Sequence, residues 1–112
     1  MTEIISSPQL EKISSGHYLL KGQLSFTSVP QLWLENRKAL FADEAETIEI
    51  NMSQIERSDS SGLALLIEWY REAEKQNKKI RFFDLPKQMY AIAHISGLND
   101  ILPLMLTESS LN

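Results

Sequence analysis

Apolar residues recur at every second position in several short stretches of the chain, which is the period of a β-strand. One of these stretches would bury Ile48, Ile50 and Met52 on a single face. The Ser14-Ser15-Gly16 cluster indicates a turn that joins the first two stretches. Residues 53–58 are mostly polar and predict a connection after the third stretch. The predicted strands are 9–13, 17–24, 46–52 and 80–83.

Between these stretches the apolar positions change to the 3.6-residue period of amphipathic helices. Thr27 or Ser28 is expected to cap the first helix, and Pro30 suits its first turn because the missing N–H has no partner there. Asn36 falls in the apolar stripe of that helix and is expected to find a backbone partner. Gly97 is expected to end the third helix. The predicted helices are about 29–42, about 60–76 and from near 86 to 97.

The alternation of strands and helices predicts the α/β class, with helices packed on a sheet. Because the first two strands are predicted to form a hairpin, we expect a mixed β-sheet of four or five strands with about three or four helices. Neither a repeat nor a Gly/Pro/Ser-rich linker divides the chain, so residues 1–112 are expected to form a single domain with an ordered core of about 9–106. The last six residues are expected to fray.

The second predicted helix has a clear core side and an unusual apolar pair beside it. Leu65 and Trp69 lie one turn apart and away from the centre of the core side. The pair fits two interpretations: it packs under a neighbouring helix or loop, or it forms a patch that binds a partner. Glu68 and Glu72 complete the outer surface. The residues expected to face the core are Leu63, Leu66, Ile67, Tyr70 and Ala73.

The entrance to the same helix combines small polar residues with a glycine. Asp59, Ser60 and Ser61 suit the unpaired N–H groups of a helix N-terminus, which is ordinary capping chemistry. Gly62 costs up to about 1 kcal/mol relative to alanine in a helix, and we interpret it as a bare surface that another backbone can approach. Ser61 is predicted to point away from the core, where a phosphate would be favoured by the helix dipole. The entrance is therefore either a cap alone or a functional surface.

Composition narrows the classes of function. The 112 residues are 43% hydrophobic and 23% charged, which is typical of a folded domain, and the net charge of −4 argues against a general nucleic-acid binder. Without cysteine, disulfides and cysteine-ligated zinc are excluded. His17 and His94 lie on different predicted elements, so we expect no metal, no cofactor and no enzymatic activity.

The first residues, 1–8, have neither the basic start nor the apolar core of a signal peptide. The chain also has no apolar run of the roughly 20 residues that a membrane-spanning helix requires. We therefore expect a cytoplasmic protein that does not insert into a membrane directly.

The Asp59–Leu63 string, preceded by a strand and opening an amphipathic helix, resembles the signature of STAS domains. These domains occur in anti-sigma factor antagonists, in sulfate transporter tails and in a subunit of bacterial phospholipid transporters. The last group is the most similar, because the resemblance covers most of the chain in the same order. The further segments that carry it are 22–24, 29–33, 62–66, 89–93 and 101–103.

The resemblance implies a non-catalytic accessory subunit at the inner membrane. Such a subunit binds the MlaF-like ATPase of an Mla-type ABC transporter, and the membrane permease indirectly, and supports the phospholipid transport that maintains outer-membrane lipid asymmetry. No nucleic acid is implied as a partner. Together with the apolar pair from the helical projection, the predicted partner-binding residues are Asp59, Ser60, Ser61, Gly62, Leu65 and Trp69.

The two serines take different roles by this resemblance. Ser60 matches the hydroxyl residue that matters for contact with the ATPase. Ser61 matches the residue that is phosphorylated in anti-sigma factor antagonists. Transporter relatives often have a small residue such as glycine at this second position, whereas this chain has serine. The alternative function is therefore an anti-sigma factor antagonist that is switched by phosphorylation at Ser61.

Overall fold

Strands and helices alternate along residues 7–105, the part of the chain that the computed structural model describes. The strands are β1 (Gln9–Ser14), β2 (His17–Leu24), β3 (Thr47–Ser58), β4 (Lys79–Phe83) and β5 (Leu104–Met105). The helices are α1 (Val29–Phe41), α2 (Ser60–Lys75) and α3 (Lys87–Ile95), and a 3₁₀ turn, Leu98–Asp100, precedes β5. This order confirms the predicted α/β class. The predicted fraying of the last six residues concerns a segment outside the described range.

The five strands form one mixed sheet in the order β1-β2-β3-β4-β5. β1 and β2 are antiparallel and joined by the two residues Ser15 and Gly16, while the other neighbours are parallel. Parallel neighbours that follow the chain order need crossover connections, and these are right-handed almost without exception. The three helices therefore lie on the same face of the sheet. The predicted mixed sheet of four or five strands is confirmed.

The hydrophobic core lies between this face and the helices. Tyr18, Ile50 and Phe82 are register partners across β2, β3 and β4, and all three are buried. Their sequence neighbours point to the opposite face and are partly exposed, because side chains alternate along a strand. The helices contribute buried side chains that cover the core: Leu32, Leu40, Leu63, Leu66, Met89 and Ala93.

The prediction of a polar connection over residues 53–58 was wrong, because β3 continues to Ser58. This half of the strand pairs with β2 through the partners Lys21↔Gln54 and Leu24↔Ser58, although the register shifts once before the first of these pairs and once between them. Ile55 is buried, but the surrounding side chains are polar and mostly exposed. Backbone pairing to β2 therefore maintains a strand that hydrophobic alternation alone does not reveal.

Two predicted details of the helices are confirmed and one is wrong. The half-buried Asn36 side chain donates from Nδ2 to the Leu32 carbonyl at 2.9 Å. Gly97 follows the end of α3 with φ +75°, a left-handed conformation that glycine adopts without steric cost. Ser28 occupies the N-cap position of α1, but its side chain makes no capping hydrogen bond. Its hydroxyl instead accepts the Ser25 N–H at 3.0 Å.

Candidate functional site

Asp59 stands at the junction between β3 and α2. Its extended backbone ends the strand, and its carboxylate caps the helix by accepting the Ser61 N–H on Oδ1 at 2.8 Å. Partial burial by itself would raise the pKa of this carboxyl. The N–H and hydroxyl of Ser61 and the N–H of Phe26 outweigh that effect, so the pKa lies below its ordinary value. Asp59 is therefore a charged capping residue at neutral pH.

The same carboxylate reaches the loop between β2 and α1. Its Oδ2 accepts the Phe26 N–H at 3.3 Å, and the Asp59 N–H donates to the Leu24 carbonyl at 3.1 Å. Leu24 and Ser58 are register partners at the ends of β2 and β3, so the loops that follow these parallel strands leave the sheet side by side. Asp59 thus joins two loops into one surface at the carboxyl edge of the sheet.

Phe26 is a residue of this surface that the sequence analysis missed. Its side chain is 76% exposed, beside the entrance to α2. The available signal was topological, because loops that follow adjacent parallel strands meet at one edge of the sheet. An aromatic residue among the hydroxyl residues Ser25, Thr27 and Ser28 at that edge marks a candidate contact.

Ser60 and Ser61 have different environments at the start of α2. Ser60 is exposed. Ser61 is half-buried, and both its N–H and its hydroxyl donate to the Asp59 carboxylate. The prediction that Ser61 points away from the core stays a prediction, and its hydrogen bonding to the exposed Asp59 carboxylate is compatible with it. The freely presented hydroxyl at this entrance is therefore that of Ser60.

Gly62 was interpreted as a bare surface, and this interpretation was wrong. The residue is buried, and a Cβ atom at this position would lie 3.0 Å from Cε of Met89 and 3.1 Å from Cδ1 of Leu24. It would also meet the Ser58 hydroxyl. Glycine is needed here because the first turn of α2 packs closely on β2 and α3. Gly62 thus supports the surface from below and does not form part of it.

The expected patch of Leu65 and Trp69 on the outside of α2 does not exist. Leu65 is 1% exposed and Trp69 is 0% exposed. The helical projection assumed one buried arc, but α2 packs against α1 and α3 as well as the sheet, so its buried arc is wider. The interpretation that the pair packs under neighbouring elements is the correct one. Neither side chain offers surface to a partner.

The remaining face of α2 is polar. Glu68 is exposed and pairs with Arg71, with 3.3 Å between Oε1 and Nη1. Glu72 is half-buried and accepts from the Gln76 side chain at 3.2 Å. Exposed ion pairs of this kind contribute little to stability. The apolar contact area at this end of the molecule therefore comes from Phe26 and not from α2.

A second aspartate, Asp43, forms a buried cluster before β3. Its carboxylate accepts the N–H groups of Ala45 at 2.9 Å and Gly16 at 2.8 Å, and the Tyr18 hydroxyl at 2.8 Å. These bonds, Ala45 first and then Gly16, hold the pKa of Asp43 far below its usual range although burial opposes the shift. The cluster ties the β1–β2 turn to the loop after α1. The sequence analysis did not find it.

The histidines have separate surroundings. His17 Nδ1 lies 3.4 Å from Glu49 on the open face of the sheet, and His94 Nδ1 lies 3.1 Å from the Asn99 side chain after α3. Within residues 7–105, no cluster of three or more histidine and acidic residues has the arrangement of a metal site. Over the same residues, no helix has the length and apolar character needed to cross a membrane.

A five-stranded mixed sheet with three helices on one face, and an Asp-Ser-Ser-Gly entrance to the second helix, defines a STAS domain. The fold matches solved STAS structures. The anti-sigma factor antagonist SpoIIAA in its unphosphorylated form gives a TM-score of 0.70 at 24% identity, covering 93% of this chain and 91% of that one. A chain of the Acinetobacter MlaFEDB complex, in an ATP-bound conformation, gives 0.70 at 20% identity, covering 80% and 93%. These likenesses concern the fold.

The chain belongs to the MlaB STAS-domain family, because the profile of this family, STAS_2, matches residues 14–107. A curated relative supports this assignment. The intermembrane phospholipid transport system binding protein MlaB of Haemophilus influenzae is 34% identical over 83 residues, which cover 72% of this chain and 79% of the relative.

Proposed function

We propose that this chain is a non-catalytic accessory subunit of an Mla-type phospholipid ABC transporter. The observation that carries the proposal is the 34% identity with a protein named for intermembrane phospholipid transport, extending over most of both chains. The likeness to a chain of the MlaFEDB complex supports the same assignment. In this proposal residues 1–112 act as one domain at the cytoplasmic side of the inner membrane, and the transport that they support maintains outer-membrane lipid asymmetry.

The proposed partner is the ATPase subunit of the transporter, and the permease is reached through it. The contact surface is the end of the molecule formed by the entrance to α2 and the β2–α1 loop. Ser60 is exposed there, at a helix N-terminus whose direction is fixed by the Asp59 cap. A surface whose backbone is already ordered loses little conformational entropy on binding. Ser60 is thus the polar contact, while Asp59 and Ser61 fix its position.

Capping accounts for the polar residues at this entrance without a catalytic role. Both oxygens of Asp59 accept backbone N–H groups, one from each loop. A Ser-His-Asp arrangement requires a histidine within hydrogen-bond reach of the serine. Here His17 faces Glu49 and His94 faces Asn99, on other elements. The chain in this proposal therefore acts by binding alone.

The experiment that tests this function is co-purification with the ATPase subunit of the Mla-type transporter from the same organism. The wild-type chain is expected to form a complex, and Ser60→Arg is expected to abolish it by placing a bulky charge in the contact. Ser96→Arg is the matched control, because Ser96 is exposed and lies at the C-cap of α3, where a cation is tolerated. A wild-type chain that does not co-purify with the ATPase would overturn the proposal.

A second candidate is an anti-sigma factor antagonist, favoured by the fold likeness to SpoIIAA and by the serine at position 61. Phosphorylation of Ser61 would place a dianion beside the Asp59 carboxylate, which now accepts the Ser61 N–H and hydroxyl. The resulting repulsion would loosen the cap and change the surface. Recovery of an anti-sigma kinase with the chain, together with phosphate on Ser61, would support this candidate against the transporter function.

A further inference from the structure

Phe26 differs from the other exposed apolar residues of the described chain. Five large hydrophobic side chains are exposed within residues 7–105, and Phe26 is the aromatic one among them. Aromatic side chains are enriched at the centres of protein interfaces, where a flat ring buries a large area with few rotatable bonds. The five are Ile13, Phe26, Leu34, Ile95 and Ile101.

The loop that carries Phe26 is ordered by its own hydrogen bonds. The Ser25 carbonyl accepts the N–H groups of Ser28 at 3.1 Å and Val29 at 2.9 Å. The hydroxyls of Ser25 and Thr27 lie 2.9 Å apart, within hydrogen-bond distance. The backbone therefore keeps the Phe26 ring in solvent, away from the core that begins at Leu24. An ordered loop that exposes an aromatic ring is organised for binding before the partner arrives.

Phe26 is also coupled to the entrance of α2. Its N–H donates to Oδ2 of Asp59, while Oδ1 of the same carboxylate accepts the Ser61 N–H. One side chain therefore sets the positions of the Phe26 loop and of the turn that carries Ser60. The backbone of Phe26 and the first turn of α2 are therefore held at the same end of the molecule.

We propose that Phe26 is the apolar anchor with which this chain docks onto the transporter ATPase, and that its ring enters an apolar recess on that subunit. This inference rests on the proposed function. The loop from Ser25 to Ser28 has no charged side chain of its own, and the neighbouring Asp59 carboxylate, which stays charged, already accepts two N–H groups of this chain. The complementary surface therefore needs apolar side chains around the ring and a hydrogen-bond partner for Ser60.

The test measures the affinity of full-length variants for the purified ATPase subunit of the same Mla-type transporter. Phe26→Ser is expected to raise the Kd about tenfold or more, as expected for loss of an interface anchor. Phe26→Leu keeps an apolar side chain and is expected to lose less affinity. Ile95→Ser is the matched control, because Ile95 is 85% exposed at the end of α3 and is expected to leave the Kd unchanged. Thermal unfolding checks that each variant is folded.

Placing a benzophenone amino acid at position 26 gives a second measurement that does not depend on loss of binding. Irradiation is expected to cross-link position 26 to the ATPase, whereas the same group at position 95 is expected to give no cross-link. The anchor role of Phe26 would be overturned if Ser60→Arg abolished the complex, Phe26→Ser left it unchanged and position 26 gave no cross-link. The proposed function would remain intact in that case. A wild-type chain that does not bind the ATPase would overturn both.

Discussion

Asp43 and Asp59, which flank β3, have the same side chain but different structural roles. Asp43, before the strand, is 5% exposed and accepts hydrogen bonds from Ser15, Gly16, Tyr18 and Ala45. Asp59, after the strand, is exposed and accepts from Phe26 and Ser61. Asp43 bonds to Gly16 and Asp59 bonds to Leu24, at opposite ends of β2, and the eight residue steps between these two positions span roughly 26 Å at 3.3 Å per residue. The buried carboxylate closes one end of the fold, whereas the exposed one organises a surface at the other end.

The cations near Asp43 strengthen this contrast. Lys12 Nζ lies 3.4 Å from its carboxylate, and Lys78 donates to the carbonyls of Asp43 and Ala45. Three segments distant in sequence therefore meet at this cluster. At the Asp59 end the hydrogen bonds are fewer, and the Ser60 hydroxyl and the Phe26 ring remain exposed. Under the proposed function, the difference favours a stabilising role for the Asp43 end and a docking role for the Asp59 end.

Removing the Asp43 carboxylate is expected to have the largest effect on folding. Asp43→Ala leaves the Gly16 N–H and the Tyr18 hydroxyl buried without their acceptor, which should lower the free energy of unfolding by about 3 kcal/mol or more. Urea unfolding measures this loss. Asp100→Ala changes an exposed aspartate and should remain within about 0.5 kcal/mol of the wild type. Equal losses in the two variants would contradict the role assigned to Asp43.

The same cluster predicts how stability depends on acid. The pKa of Asp43 is lower in the folded protein than in the unfolded chain, so its stabilisation is complete above the ordinary carboxyl pKa of about 4 and is lost as the pH falls below it. Urea unfolding from pH 7 towards acid should show the wild type losing more free energy than Asp43→Ala. Parallel curves for the two proteins would contradict the prediction.

The environment of Tyr18 predicts that stability is also lost as the pH rises into the basic range. Burial first, and then the hydrogen bond to Asp43 and its negative charge, raise the pKa of Tyr18 far above its usual range. Because the unfolded tyrosine titrates near pH 10, the stabilisation is present below that pH and is lost as the pH rises above it. Unfolding curves between pH 9 and pH 11 should therefore fall more steeply for the wild type than for Tyr18→Phe. Equal slopes would show that Tyr18 does not contribute.

A substitution at Gly62 tests whether this residue belongs to the protein interior or to the contact surface. Gly62→Ala places a Cβ atom against Met89 and Leu24, so we expect a loss of about 1–3 kcal/mol in the free energy of unfolding from overpacking. Ser60→Ala, two residues earlier at an exposed position, should change stability by no more than about 0.5 kcal/mol. If Gly62→Ala weakened binding to the ATPase without lowering the free energy of unfolding, Gly62 would belong to the contact surface after all.

Asp59 is expected to affect folding less than Asp43 does. Asp59→Ala removes the cap of α2, which should cost about 1 kcal/mol, and it also releases the N–H of Phe26. The free energy of binding to the ATPase, measured by calorimetry, should therefore fall by more than the free energy of unfolding, measured in urea. Asp59→Asn keeps an oxygen that can cap the helix and should retain most of the stability. Undiminished binding by Asp59→Ala would contradict the view that this carboxylate organises the surface.

The periodicity of the sequence predicted most of the fold because most elements bury one face. Burial alternates strictly along β2 and the first half of β3, and each helix has an apolar stripe. The second half of β3 was missed because its pairing depends on the backbone of β2. Leu65 and Trp69 were wrongly placed on the surface because contacts with α1 and α3 widen the buried arc of α2. These contacts cannot be inferred from the sequence of α2 alone.

The candidate site was predicted in part for the same reason. Asp59 and Ser60 were found because capping is local in sequence and because the resemblance to STAS domains points to them. Phe26 and Asp43 were missed because each acts through partners at least 25 residues away, Phe26 through Asp59 and Asp43 through Gly16 and Tyr18. Contacts of this length follow from the strand order, which only the structure supplies.

Amide hydrogen exchange of the chain, free and bound to the ATPase subunit, tests most directly whether binding occurs at the Asp59 end. We predict that binding slows exchange in the segments 25–27 and 60–64, while the amides of Gly16 and Ala45 beside Asp43 exchange at unchanged rates. Slower exchange at the Asp43 end or on the open face of the sheet, with no change at 25–27 and 60–64, would contradict the separation of a docking end from a stabilising end.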